Sequence, residues 1–386
     1  MKDLGKKIHG TLILLLLGIV ALQTIHPFAP NGSLSGAVIA SEQVPLTINT
    51  VLDGSLMKAV DTHCAAHLGF KPAMARTNNQ INYSLFNYIR PTNSNLIQEK
   101  DGWLYEGHYL YSRIQKSKLT DEETETFASG LKTIQDFLQS KGADIYFIIS
   151  PSKATIYPEF TPPHFQDVFA AANHTSTYQK FVSAFEDHGV NLIDGPQWFL
   201  NKKAQAPDYL LFSRGGTHWG EFAAFEFLRD ALTQINQSPF IEIPPMNLSK
   251  SERHLSKGYD NDIAALLNIW NQDGTKDLMP YPIFEKHPTH TTPRPVTQVY
   301  GDSFSWITNR HLVQSNVIPH LDMHYYNAYS VEYNGELETR VPLKELDMKE
   351  LGKPGQLILI TCNEASLYLR WMWDVVDKAL VSINQI

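Results

Sequence analysis

The run Asp144–Ser150 (DIYFIIS) constrains this chain more than any other stretch. It is almost wholly apolar and closed off by Gly142 and Pro151. A strand buried on both faces reads this way, and both faces of a sheet are covered chiefly where the strands are parallel. The surrounding pattern agrees. Thr120–Gln139 reads as a helix, with Thr120 as its cap, Glu123 three residues on and Gly142 as its stop. Tyr178–His188 reads as helix, Val190–Asp194 as strand and Trp219–Gln234 as helix. Val296–Tyr300 is a strand, Leu312–Asn316 helical, Leu321–Tyr326 and Leu357–Thr361 strands, and Ser366–Val381 a closing helix. Strands alternating with helices predict an α/β fold with a mostly parallel sheet covered on both faces. Ahead of it, Pro45–Tyr88 is helical in pattern, and Asp101–Tyr105 turns into a short strand.

Composition excludes several classes. With 43% hydrophobic and 19% charged residues the chain is not intrinsically disordered. A net charge of −8 lacks the basic footprint of a dedicated nucleic-acid binder. Only one long apolar run exists, Thr11–Leu22, preceded by Lys2, Lys6 and Lys7. It resembles the charged and apolar regions of an export signal. The run is short of the roughly 20 residues that span a bilayer, but a count through Ile25 or Phe28 reaches that length. A cleaved signal, with small residues at Val38-Ile39-Ala40, and an uncleaved anchor both remain open. The expected organisation is residues 1–40 as signal peptide or membrane anchor and linker, and 41–386 as an exported domain. Without 1–40 the balance is 29 basic against 39 acidic side chains. Such a body suits neutral or cationic partners and argues against gripping an anionic polymer by charge alone. In an oxidising compartment Cys64 and Cys362 allow one disulfide or two buried thiols. His287 and His290 lie in a Pro/Thr-rich loop and read as solvated; no metal site or cofactor is expected.

In sheets of this kind ligands bind beyond the carboxyl ends of the strands. The residues there are Ser150-Pro151-Ser152-Lys153, Asp194-Gly195, Gly301-Asp302-Ser303 and Cys362-Asn363-Glu364. A strand ending in Gly-x-Ser sets a hydroxyl at the sheet edge, with backbone N–H groups facing a developing oxyanion. Asp302 and Ser303 equally suit a helix cap. A serine nucleophile needs a base. His218, in the turn Gly215-Gly216-Thr217-His218-Trp219, is the histidine placed to serve.

Taken together, Glu99–Tyr105, Ser150–Glu159, Thr217-His218-Trp219 and Gly301–Ser305 resemble the alginate O-acetyltransferases of AlgJ/AlgX type. The resemblance runs from about Pro45 to Ile386. It implies an SGNH-hydrolase-like three-layer sandwich and an exported, periplasmic enzyme that moves acetyl groups onto hydroxyls of an extracellular polysaccharide, as in biofilm exopolysaccharide synthesis. It further implies an acetyl donor supplied by a membrane-bound O-acyltransferase, and other subunits of a polysaccharide export complex as partners. Ser303 matches the family's nucleophile and His218 its base. The carbohydrate-binding module of AlgX-type members is expected to be absent.

One departure matters. The family pattern is Asp-x-His-Trp, and Gly216 stands at the Asp position. In serine proteases the triad's acid holds the imidazole in the right tautomer, and its loss costs about 10⁴ in turnover. Substitute carboxylates are Glu221, Asp194, Asp260, Asp262 and Asp302. Without one, a catalytically silent polysaccharide-binding or scaffold subunit is the alternative; with water as acceptor, a carbohydrate acetylesterase is another. Lys153, Tyr157, Arg214 and Trp219 are candidates to line the substrate cleft, each with a packing or surface role as its alternative, and Glu364 is a candidate by position.

Overall fold

The computed structural model describes residues 2–26, 28–29, 32–36, 44–89, 96–288, 294–335, 337–344 and 352–383. Val38–Ala40 and His290 lie outside them. Residues 1–95 with 264–274 form one compact unit, and 96–263 with 275–386 a second. In the first, Lys2–Ile25 is a helix whose stretch Gly5–Ile25 is long and apolar enough to cross a membrane. The helical pattern of Pro45–Tyr88 resolves into Ile48–Leu52, Ser55–His67 and Lys71–Phe86, broken at Gly54 (φ 78°) and Phe70 (φ 59°).

Among the described residues the second unit has a seven-stranded sheet: β1 (Asp144–Ser150), β2 (Leu192–Asp194), β3 (Val296–Gly301), β4 (His320–Tyr325), β5 (Tyr329–Asn334), β6 (Leu337–Val341) and β7 (Gln356–Asn363). Their spatial order is β6-β5-β4-β3-β7-β1-β2. The run β4 to β2 is parallel; β5 and β6 extend it as an antiparallel hairpin that sequence periodicity did not suggest. The last strand, β7, occupies the middle of the parallel run, pairing with β1 and with β3.

The apolar run of β1 divides between two cores, as the two-residue period of a strand requires. Ile145, Phe147 and Ile149 pack with helices Asp121–Ser140, Thr177–His188 and Arg370–Ile383. Tyr146 and Ile148 pack toward helices Gly195–Ala204, Glu221–Ile235 and Ser305–Gln314. The result is a three-layer sandwich. Thr120 caps its helix through the expected reciprocal box: its hydroxyl accepts the Glu123 N–H at 3.1 Å, and Glu123 accepts the Thr120 N–H at 2.8 Å. Both cysteines are free, Cys362 buried and Cys64 exposed, so neither the disulfide nor the pair of buried thiols forms.

The chain leaves β1 toward β2, then returns to β3 and β4 on the far side of β7. That reversal places the carboxyl ends of β1, β7 and β3 side by side: Asn363 is in register with Ser150, and Thr361 with Gly301.

Candidate active site

Gly301 ends β3 at a crowded point, where a Cβ would press on the Ser305 hydroxyl. The chain then turns through Asp302 and Ser303 into the helix Ser305–Gln314, which begins seven residues before the expected Leu312. Asp302 is buried, and its two oxygens accept backbone N–H groups from Phe304 (3.0 Å) and Asn363 (2.6 Å). Burial pushes its carboxyl up to about 6. It ties the turn that carries Ser303 to β7 and makes no hydrogen bond to His218.

The His218 imidazole bridges two distant segments. Its Nε2 lies 2.8 Å from the Ser303 hydroxyl, and its Nδ1 lies 2.7 Å from Asp262 Oδ2. The other oxygen of Asp262 accepts the N–H groups of Thr217 and Ile263, each at 2.8 Å. The carboxylate is therefore oriented before it meets the ring. Phe304 and Tyr259 pack against the imidazole, with centroids 4.8 and 5.2 Å away. The backbone N–H of Tyr326, which follows β4, donates to the Gly301 carbonyl at 2.9 Å and sets this residue beside the Ser303 turn.

Gly216 cannot carry the acid in this backbone. A Cβ on it would lie 2.7 Å from the Tyr259 carbonyl oxygen and 2.9 Å from the Asp260 carbonyl carbon. The segment bearing Asp262 presses against the glycine, and the carboxylate arrives from that side.

The other carboxylates have different partners. Glu221 binds Arg310 (3.2 Å) and His311 (2.9 Å). Asp194 accepts the Tyr178 hydroxyl and caps the helix Gly195–Ala204. Asp260 is fully buried, which pushes its carboxyl well above the carboxylate range.

The four cleft candidates are also used internally. Trp219 is 0% exposed, stacked on Phe199 and met edge-on by Phe304, so it offers no face to a sugar. Tyr157 is buried, its hydroxyl accepting the Leu211 N–H at 3.0 Å. Arg214 is engaged by Asp277 (2.7 Å) and by the carbonyls of Asp101 and Lys276. Lys153 is buried, and its ammonium donates to the carbonyls of Ser213, Arg214 and Gly216. It clamps the loop that leads into His218. Burial lowers its pKa to about 7.

Sequence reasoning missed Glu106. Glu106 accepts the Thr217 hydroxyl at 2.7 Å and steadies the same loop. It ends the strand opened by Asp101–Tyr105, a position that could have marked it.

The family described as "SGNH hydrolase-like domain, acetyltransferase AlgX" matches residues 96–308, a span that holds His218, Asp262 and Ser303. The chain belongs to this AlgX family. Among relatives of the AlgX-family chain, the probable alginate O-acetylase AlgJ of Pseudomonas aeruginosa is 27% identical over 207 residues, covering 51% of this chain and 46% of that protein. AlgJ of Pseudomonas syringae pv. tomato is 26% identical over 222 residues, or 55% and 47%. The chain thus spans about half the length of these curated relatives. The solved O-acetyltransferase domain of Pseudomonas putida AlgJ superposes with a TM-score of 0.45 at 16% identity, covering 75% of this chain and 100% of that one.

Proposed function

We propose that this AlgX-family domain O-acetylates an exported polysaccharide through an acetyl-Ser303 intermediate. The observation that carries the reading is the continuous relay Ser303–His218–Asp262. His218 Nε2 takes the hydroxyl proton as Ser303 Oγ attacks the acetyl carbonyl, and the same proton passes to the departing donor. A sugar hydroxyl, deprotonated by His218, then attacks the acyl-enzyme and frees Ser303. Asp262 holds the imidazole in the tautomer that this requires.

Among the described residues the Asp302 and Phe304 amides are already committed, to the Thr361 carbonyl and to Asp302 itself. The Ser303 N–H is the donor assigned to the oxyanion, worth about 3–4 kcal/mol. Asp262 removes the reason for a silent scaffold, since that alternative rested on Gly216.

The names of the relatives make alginate the first acceptor to try. The stretch Gly5–Ile25 supports export or anchoring at the inner membrane, on the periplasmic side. There a membrane-bound acyltransferase would supply acetyl, and other export subunits would supply polymer.

Incubation with an activated acetyl ester, followed by mass spectrometry, is expected to add one acetyl to Ser303. An undiminished adduct in Ser303→Ala would reject the assignment. Partition of the acetyl between water and added oligosaccharide separates transfer from hydrolysis: acetate as sole product would make the domain an esterase.

A further inference from the structure

The carboxyl edge of the sheet carries a second concavity. A cavity of about 460 Å³ opens beyond the ends of β1, β2 and β7, lined in part by Thr155, Pro196, Glu364 and Tyr368. That volume lies within the range of small-ligand pockets. The helix Gly107–Ile114 relates it to the nucleophile's turn. Tyr109 of that helix packs against Phe304, while His108, Tyr111 and Ser112 line the cavity.

The lining inverts the charge of the molecule. The chain carries −8 overall, yet Arg113, Lys116 and Lys118 meet here with Glu364 as the one carboxylate in the wall. Burial raises the carboxyl of Glu364, which also accepts the Ser152 N–H at 2.7 Å. Two of the cations are held in place by rings: Arg113 lies 4.3 Å over Phe169, and Lys118 lies 3.9 Å over Tyr368. A guanidinium or ammonium fixed in this way loses little entropy when it meets an anion, and retains several donors. Tyr111, Ser112 and Gln115 add hydroxyl and amide groups beside the rings.

The exposed ring of Tyr111 for the C–H face of a sugar, polar groups for hydroxyls and a cluster of cations together describe one class of occupant. We infer that this cavity is an anchoring site for a carboxylate-bearing glycan, gripping an acidic segment of the acceptor chain while a hydroxyl of the chain reaches Ser303. The inference rests on the acetyl-transfer reading for its purpose and on the cavity alone for its chemistry. It also revises what net charge implied: a mildly acidic protein holds an anionic polymer through local, not global, complementarity.

The test is calorimetric titration of the detergent-solubilised full chain with three probes: a hexauronate, neutral cellohexaose and hexaglutamate. The hexauronate is expected to bind at least tenfold more tightly than either control and to weaken as salt rises. The double substitution Lys116→Ala/Lys118→Ala, at two exposed positions, is expected to lower hexauronate affinity about tenfold or more. Equal binding of cellohexaose, equal binding of hexaglutamate, or unchanged affinity in the double variant would each overturn the assignment. The two readings fail separately. Binding of hexauronate without an acetyl adduct on Ser303 defeats the catalytic reading alone; an adduct formed by a protein that does not prefer the hexauronate defeats the anchoring site alone.

Discussion

Asp262 Oδ2 stands 2.7 Å from His218 Nδ1, although 44 positions of chain separate the two residues. A carboxylate thus reaches the imidazole from a different segment, the one that packs on Gly216, and not from two residues before the histidine. An acid–imidazole contact is a geometric requirement, and any backbone able to present a carboxylate at that point satisfies it.

Replacing that carboxylate by its amide tests the point. Asp262→Asn is expected to lower the rate of Ser303 acetylation by about 10³–10⁴, the scale seen when a triad acid is lost. Thermal stability should change little, because the amide oxygen can still accept the Thr217 and Ile263 N–H groups. A rate within a few-fold of the native one would remove Asp262 from the mechanism.

Restoring the family's acid should fail. Gly216→Asp forces a Cβ to 2.7 Å from the Tyr259 carbonyl oxygen. Overpacking of this kind costs about 1–3 kcal/mol. The expected result is a lowered melting temperature and no gain in acetyl transfer, including in an Asp262→Asn background. Recovery of activity in that double variant would show that the loop admits an acid after all.

Lys153 acts on the same loop from beneath. Lys153→Met leaves three carbonyls without their ammonium partner and frees the approach to His218. A misplacement of about 1 Å is worth roughly 10² in rate, so acylation by a small ester is expected to fall by about that factor. Stopped-flow acylation kinetics measure it, and a native rate in a folded variant would reduce Lys153 to packing.

The nucleophile's neighbour gives a pH signature. Burial raises Asp302 from 3.8 to about 6. The folded state then holds this proton more tightly than the unfolded chain does, so the associated stability is full below about 3.8 and is lost as pH rises through 6. Urea midpoints of the native protein are expected to fall relative to those of Asp302→Asn over that interval and to run parallel above it. Parallel curves throughout would mean that folding leaves the proton affinity of Asp302 unchanged.

Much of this was legible in residues that carry their own local signal. Asp144–Ser150 announces a buried strand because its apolar run leaves no polar face, and Thr120 with Glu123 announces a helix start because the capping box is a local contact. Gly301-Asp302-Ser303 and His218 were singled out from strand-end position and from resemblance, and the fold brings Ser303 and His218 within 2.8 Å of each other. The acid was not decided: five carboxylates were in view, and only the fold's long-range packing separates Asp262 from Glu221, Asp194, Asp260 and Asp302. The four cleft candidates take the packing and pairing roles that the sequence also allowed. Lys153, Arg214, Tyr157 and Trp219 do lie near the site in sequence, but their side chains turn inward to carbonyls, carboxylates and rings that a linear reading does not place. The β5–β6 hairpin escaped because short strands with exposed polar positions lack a distinctive period.

The central position of β7 has a consequence for how the protein is made. Both of its neighbours, β1 and β3, precede it in the chain, so a polypeptide emerging amino-end first displays two unsatisfied strand borders until residues 356–363 appear. Unpaired borders of this sort invite pairing with other chains. Such a topology leaves the sheet to zip shut only after its keystone strand has arrived.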